Sequence, residues 1–126
     1  MCGIAGGFWK TDGGSIERRL QSALDLMRHR GPDDSGHEAV RSAAGTVAIG
    51  QNRLSIIDLS CRGHQPMLSE DSTLAIVFNG EIYNYRELRD ELRTLGHAFK
   101  SDSDTEVPLA AWAQWGRSCL PRLEGM

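Results

Sequence analysis

No apolar run is long enough to cross a bilayer, and no basic segment, apolar stretch and small-residue cleavage site opens the chain. Neither a membrane span nor a secretory leader is expected. Lysines and arginines are not clustered, and the net charge of −3 is spread over interspersed residues of both signs. That excludes the basic stripe with which nucleic acid or an anionic membrane would be bound. Cysteine is scarce: Cys2, Cys61 and Cys119 form an odd set of three with no C-x-x-C spacing. Disulfide scaffolds and cysteine zinc sites are thereby disfavoured, and a reducing cytosol is the expected compartment. His29, His64 and His97 lie far apart, outside ligand spacings, and read as structural. There is no internal repeat, low-complexity tract or linker. What remains is an ordinary globular composition in 126 residues, read as one domain over 1–126 with a real core.

Cys2 to Phe8 alternates small and apolar residues and reads as a short buried strand. Ser15 suits an N-cap, and Ile16, Leu20, Ala23, Leu24 and Met27 repeat at helical spacing, predicting a helix from Ser15 to about His29. Arg30 to Gly36, with one proline and two glycines, reads as a loop without regular structure. Glu38–Ser42 and Thr46–Asn52 read as paired strands, and Leu54–Leu59 as a further apolar stretch. Leu74–Phe78 is the most apolar run and is expected to form a central strand, with Asn79-Gly80 behind it as a hairpin signal. Tyr85, Leu88, Leu92 and Leu95 mark an amphipathic helix stopped at Gly96. Asp104 is expected to cap a helix from Thr105 to Trp115 whose apolar face is Val107, Ala111, Trp112 and Trp115. Hairpins with helices outside them make an α+β pattern.

Four groups suit amide hydrolysis. Cys2, once Met1 is removed, carries a thiol and a free α-amine on one residue, and that amine titrates low enough to serve as the base. Asn79 and the Gly80 N–H can together face a developing oxyanion. Arg53 can grip a carboxylate with its planar fork, and Asp104 can pair with an ammonium. Together they complement an amino acid whose side chain ends in an amide. Each also has a plainer reading: Cys2 as a small buried hydrophobe, Asn79-Gly80 as a type I′ turn, Arg53 as a surface arginine, Asp104 as a helix cap. Glu81 and Glu106 are too common as types to weigh singly.

Six segments in register carry a resemblance. They are Cys2-Gly3-Ile4-Ala5-Gly6, Arg28-His29-Arg30-Gly31-Pro32-Asp33-Asp34, Asn52-Arg53-Leu54-Ser55-Ile56-Ile57-Asp58, Gly63-His64-Gln65-Pro66-Met67, Val77-Phe78-Asn79-Gly80-Glu81-Ile82-Tyr83-Asn84 and Ser103-Asp104-Thr105-Glu106. The chain resembles the N-terminal glutaminase domain of glutamine-hydrolysing asparagine synthetases, class II glutamine amidotransferases within the N-terminal nucleophile hydrolase superfamily.

The resemblance implies a four-layer αββα sandwich of antiparallel sheets. It implies that Cys2 attacks the carboxamide of L-glutamine while Asn79 and Gly80 form the oxyanion hole. Arg53 then holds the α-carboxylate, Asp104 and Glu81 the α-ammonium, and Leu54, Ile56 and Ile57 the pocket wall. No metal or organic cofactor is implied for that step. ATP and magnesium are implied only for a synthetase domain, C-terminal in the family, that amidates aspartate with the released ammonia. No Ser-Gly-Gly-x-Asp phosphate loop is present here, so the synthetase chemistry is expected elsewhere. Relative to the family the domain looks truncated at Met126, with borrowing of strands from a second copy as an open option. Two other readings stand beside this one. The first is a catalytically silent folding or interaction module; the second is a hydrolase using Cys61 or Cys119 with His64.

Overall fold

The computed structural model describes residues 2–11, 15–54 and 63–126. These fall into two units: one takes in the described residues up to 54 together with 64–66 and 77–79, the other takes in 63, 67–76 and 80–126.

The first unit is an antiparallel sheet of three strands in the order β1-β3-β2, where β1 is Gly3–Trp9, β2 is Asp34–Ser42 and β3 is Gly45–Arg53. Helix α1 (Ile16–Leu26) packs on one face. Its Ile16, Leu20 and Leu24 meet Ala48, with Ala5, Trp9, Met27 and Ala39 around them. Strand pleating sends alternate residues to opposite faces. On β3, Thr46, Ala48, Gly50 and Asn52 therefore turn toward α1, while Val47, Ile49 and Gln51 turn away. The α1 side is closed: Asn52 Nδ2 donates to the Leu24 carbonyl. On the far side Ile4, Phe8, Val40 and Val47 are 47%, 53%, 62% and 45% exposed, so that apolar face is open.

Two expectations need correction here. The helix ends at Leu26 rather than near His29, and Arg28–Arg30 tightens into a 3₁₀ turn. Its bonds run from Arg30 N–H to Met27 and from Gly31 N–H to Arg28, after which Pro32 prevents continuation. The segment from Arg30 to Gly36 is not all loop, because β2 already begins at Asp34, opposite Arg53. Gly36 is a strand residue. It is paired with Gln51, and a Cβ there would run into the Gln65 carbonyl. The glycine marks close approach of another backbone, not a turn.

The second unit holds α2 (Tyr85–Thr94), α3 (Glu106–Trp115) and a two-stranded antiparallel sheet of β4 (Met67–Leu68) and β5 (Ala75–Ile76). Leu88 and Leu92 are buried from α2, and Gly96, at φ 95°, ends it as expected. Ile82 bridges Gly125, and the Tyr83 N–H donates to the Glu124 carbonyl at 2.7 Å.

The run Leu74–Phe78 is not a central strand, since among the described residues only Ala75 and Ile76 of it pair, in a two-stranded sheet. Asn79-Gly80 forms no type I′ turn either: that turn needs positive φ at both residues, and neither has it. Helix α3 buries Val107, Pro108, Leu109 and Ala111, whereas Trp112 is 40% exposed. The sequence of α3 is apolar nearly all round, so its periodicity points to no single face. The N-cap position is Thr105, not Asp104.

Candidate functional site

The β1–β3 ladder closes with Gly3 opposite Asn52, so Cys2 and Arg53 flank its last pair. By strand alternation both belong to the open side of the sheet. The half-buried Cys2 sits with its Sγ 3.4 Å from the Leu54 N–H, which donates to it, and 3.8 Å from the Leu54 carbonyl. The Cys2 carbonyl accepts two side-chain donors, Asn79 Nδ2 at 3.1 Å and Arg30 Nε at 3.2 Å. Arg53 is 9% exposed, and its carbonyl accepts the Asp33 N–H at 3.1 Å. Four of the residues singled out from sequence (Cys2, Arg53, Leu54 and Asn79) are thus placed in one unit.

Gly80, Glu81 and Asp104 belong to the second unit. Asp104 is 5% exposed and its Oδ2 accepts the Ile82 N–H at 3.0 Å, so the carboxylate holds a neighbouring loop instead of capping α3. The backbone of Glu81 exchanges two hydrogen bonds with Met126, both 3.0 Å. Glu106 serves its own turn: Oε1 accepts from the Lys100 N–H at 2.8 Å, and Oε2 from the N–H and hydroxyl of Ser101 at 2.9 and 2.7 Å. Ile56 and Ile57 lie outside the described residues, as does Cys61.

The other thiol reading loses ground at Cys119. That side chain is 1% exposed, and burial pushes its thiol up from the ordinary value, away from the thiolate a nucleophile needs. His64 is engaged with Asp34, Nδ1 to Oδ2 at 2.7 Å. Among the described residues no three His, Cys, Asp or Glu side chains converge as a metal site would require.

Sequence reasoning missed the amides beneath the site. Gln51 and Gln65 are 1% and 5% exposed, and both engage the backbone of Phe78, one residue before Asn79. Arg30 was read as part of a loop, yet it reaches the Cys2 carbonyl. The available signal was a polar pair, Gln51-Asn52, at the end of a strand otherwise rich in small and apolar residues.

The glutamine amidotransferase domain family matches residues 1–126, the whole chain. The chain belongs to that family. Relatives of this amidotransferase domain include a protein of Mycobacterium bovis named "Putative asparagine synthetase", glutamine-hydrolysing, at 46% identity. Asparagine synthetase 1 of Bacillus subtilis is 42% identical and asparagine synthetase B of Escherichia coli 39%, both also glutamine-hydrolysing by name. All three align along 100% of this chain, which covers 21%, 20% and 22% of their respective lengths. The amidotransferase domain described here therefore spans about a fifth of each relative. Its mixed α+β architecture with antiparallel sheets accords with that membership. No helix among the described residues is long and apolar enough to cross a membrane.

Proposed function

We propose that this chain is the glutamine-hydrolysing part of an asparagine synthetase-type amidotransferase, working in the cytoplasm with Cys2 as N-terminal nucleophile. After removal of Met1, the α-amine of Cys2 takes the thiol proton and the sulfur attacks the side-chain carbonyl carbon of L-glutamine. A carbon–sulfur bond forms, the carbon–nitrogen bond breaks, and the transferred proton leaves with the nitrogen as ammonia. Water then cleaves the thioester, releasing glutamate and restoring the thiol.

Asn79 and the Gly80 N–H take the oxyanion, Arg53 the substrate α-carboxylate, and Asp104 with Glu81 its α-ammonium. Leu54, Ile56 and Ile57 wall the pocket. The hydrolytic step draws on no metal or organic cofactor. Ammonia passes to an ATP- and magnesium-dependent partner domain that amidates aspartate. The full architecture is a four-layer sandwich, for which the open apolar face of Ile4, Phe8, Val40 and Val47 is the support within this unit.

The observation that carries the reading is the Asn79 amide, brought across 77 positions of sequence to the backbone of Cys2. A side-chain amide held at the residue that carries the thiol is the kind of donor a developing oxyanion calls for. The test is glutamate release by the chain after intact mass has shown loss of Met1, with Cys2→Ala as control. Turnover that survives Cys2→Ala rules out this nucleophile. A processed, folded chain without turnover is instead a folding or interaction module.

A further inference from the structure

Gln51 and Gln65 hold the two hydrogen-bonding groups of a single peptide residue. Gln51 Nε2 donates to the Phe78 carbonyl at 2.6 Å, and the Phe78 N–H donates to Gln65 Oε1 at 2.7 Å. Bonds that a neighbouring strand would normally supply come here from two side-chain amides, one presenting its donor and the other its acceptor. The residue after this doubly held Phe78 is Asn79, whose side-chain amide donates to the Cys2 carbonyl.

We propose that Gln51 and Gln65 are positioning residues, a clamp on Phe78 that sets the Asn79 amide against Cys2. The inference rests on the glutaminase reading above and adds to it the means by which the oxyanion donor is aimed.

The clamp is built into the sheet. In β3, Gln51 lies opposite both Ile4 of β1 and Gly36 of β2. Gly36 makes the seat for the second arm, since a side chain there would strike the Gln65 carbonyl. The arrangement carries a cost that packing alone does not explain. Gln51 is almost wholly buried, and its Oε1 has no hydrogen-bond partner among the described residues. An apolar side chain of similar size would avoid that orphaned acceptor. A glutamine does what leucine cannot at this position, which is to donate to Phe78 and stop that peptide from sliding.

Four variants of the 126-residue chain test the clamp: Gln51→Leu, Gln51→Glu, Gln65→Leu and Gln65→Glu. Gln65→Glu keeps an acceptor for the Phe78 N–H, whereas Gln51→Glu loses the donor and turns an oxygen toward the Phe78 carbonyl. Glutamine hydrolysis is expected to lose about 10–100-fold in kcat in Gln51→Glu and both leucine variants, since small misplacements of a catalytic group cost that much. In the same variants KM is expected to stay within about threefold of the parent and iodoacetamide labelling of Cys2 to be unchanged, because ground-state binding and the thiol are untouched. Gln65→Glu is expected to keep its kcat.

Amide spectra give a readout free of activity. Exchange of the Phe78 N–H is expected to accelerate in Gln65→Leu but not in Gln65→Glu, and the Asn79 side-chain amide signals to move whenever the clamp is broken. Unmoved Asn79 signals in Gln65→Leu overturn the clamp, whether or not the parent hydrolyses glutamine. So does a Gln65→Glu chain that remains folded yet is as impaired as Gln51→Glu. A parent without glutaminase activity overturns the functional reading alone. Should the leucine variants fail to fold, the two glutamate variants decide.

Discussion

The side-chain amide of Asn79 donates to the main-chain carbonyl of Cys2 across 3.1 Å. That bond ties the residue just before β1 to a segment reached only after β2, β3 and the β4–β5 excursion. It brings a polar donor to within one residue's reach of the only half-buried thiol among the described cysteines.

Asn79→Ala should therefore act on the chemical step. Removing one oxyanion donor commonly lowers kcat by about 10²–10³. Asn79 is itself exposed, so the variant is expected to melt close to the parent. Steady-state glutamate release with a parallel thermal melt checks both; a large KM change with intact kcat would contradict the assignment.

Arg53→Ala should act on binding instead. Charge-assisted hydrogen bonds are worth roughly 1.5–3 kcal/mol, so KM for glutamine is expected to rise about 10–100-fold. Arg53→Lys retains the charge without the fork and is expected to fall between the two. Arg53 is mostly buried, so circular dichroism should accompany the kinetics.

Leu24→Ala addresses the scaffold. Leu24 is 1% exposed in the cluster with Ile16, Leu20 and Ala48. Deleting such a side chain is expected to cost about 2–5 kcal/mol in urea unfolding. A loss below about 1 kcal/mol would mean that α1 is not seated as described.

The two described thiols should differ in accessibility, Cys2 being half-buried and Cys119 buried. In a Cys61→Ser background at about pH 8, iodoacetamide is expected to modify Cys2 and spare Cys119 until denaturant is added. Burial raises the Cys119 thiol above its ordinary 9.0, so the folded state favours the neutral form. Its contribution to stability is complete below pH 9.0 and fades as pH climbs toward the raised folded value. Native-state labelling of Cys119 at lower pH would count against this burial.

The extent to which this fold could be read from its residues differs by element. α1, α2 and the β2–β3 pair follow the periodicity of Ile16/Leu20/Leu24, of Leu88/Leu92 and of alternating Thr46 to Asn52. Those patterns persist for several turns or pleats, so one period dominates locally. Leu74–Phe78 misled because apolarity signals burial, not pairing, and the Phe78 peptide is satisfied by glutamine side chains. Gly36 misled for a related reason: a glycine needed for a nearby backbone resembles, in sequence, one needed for a turn. Cys2, Arg53 and Asn79 stood out in the sequence by residue type, and the structure sets them in one unit; Gln51 and Gln65 did not stand out. Their importance comes from what they hold, and no local pattern records a partner at Phe78.

Strand β3 writes two scripts on alternate letters. Thr46, Ala48, Gly50 and Asn52 look to the helix, while Gln51, between the last two, looks to Phe78. Deleting one residue between Thr46 and Gln51 would exchange the readers of both scripts at once, thrusting Asn52 into the clamp's place and Gln51 under α1. Length changes are thus barred from this strand.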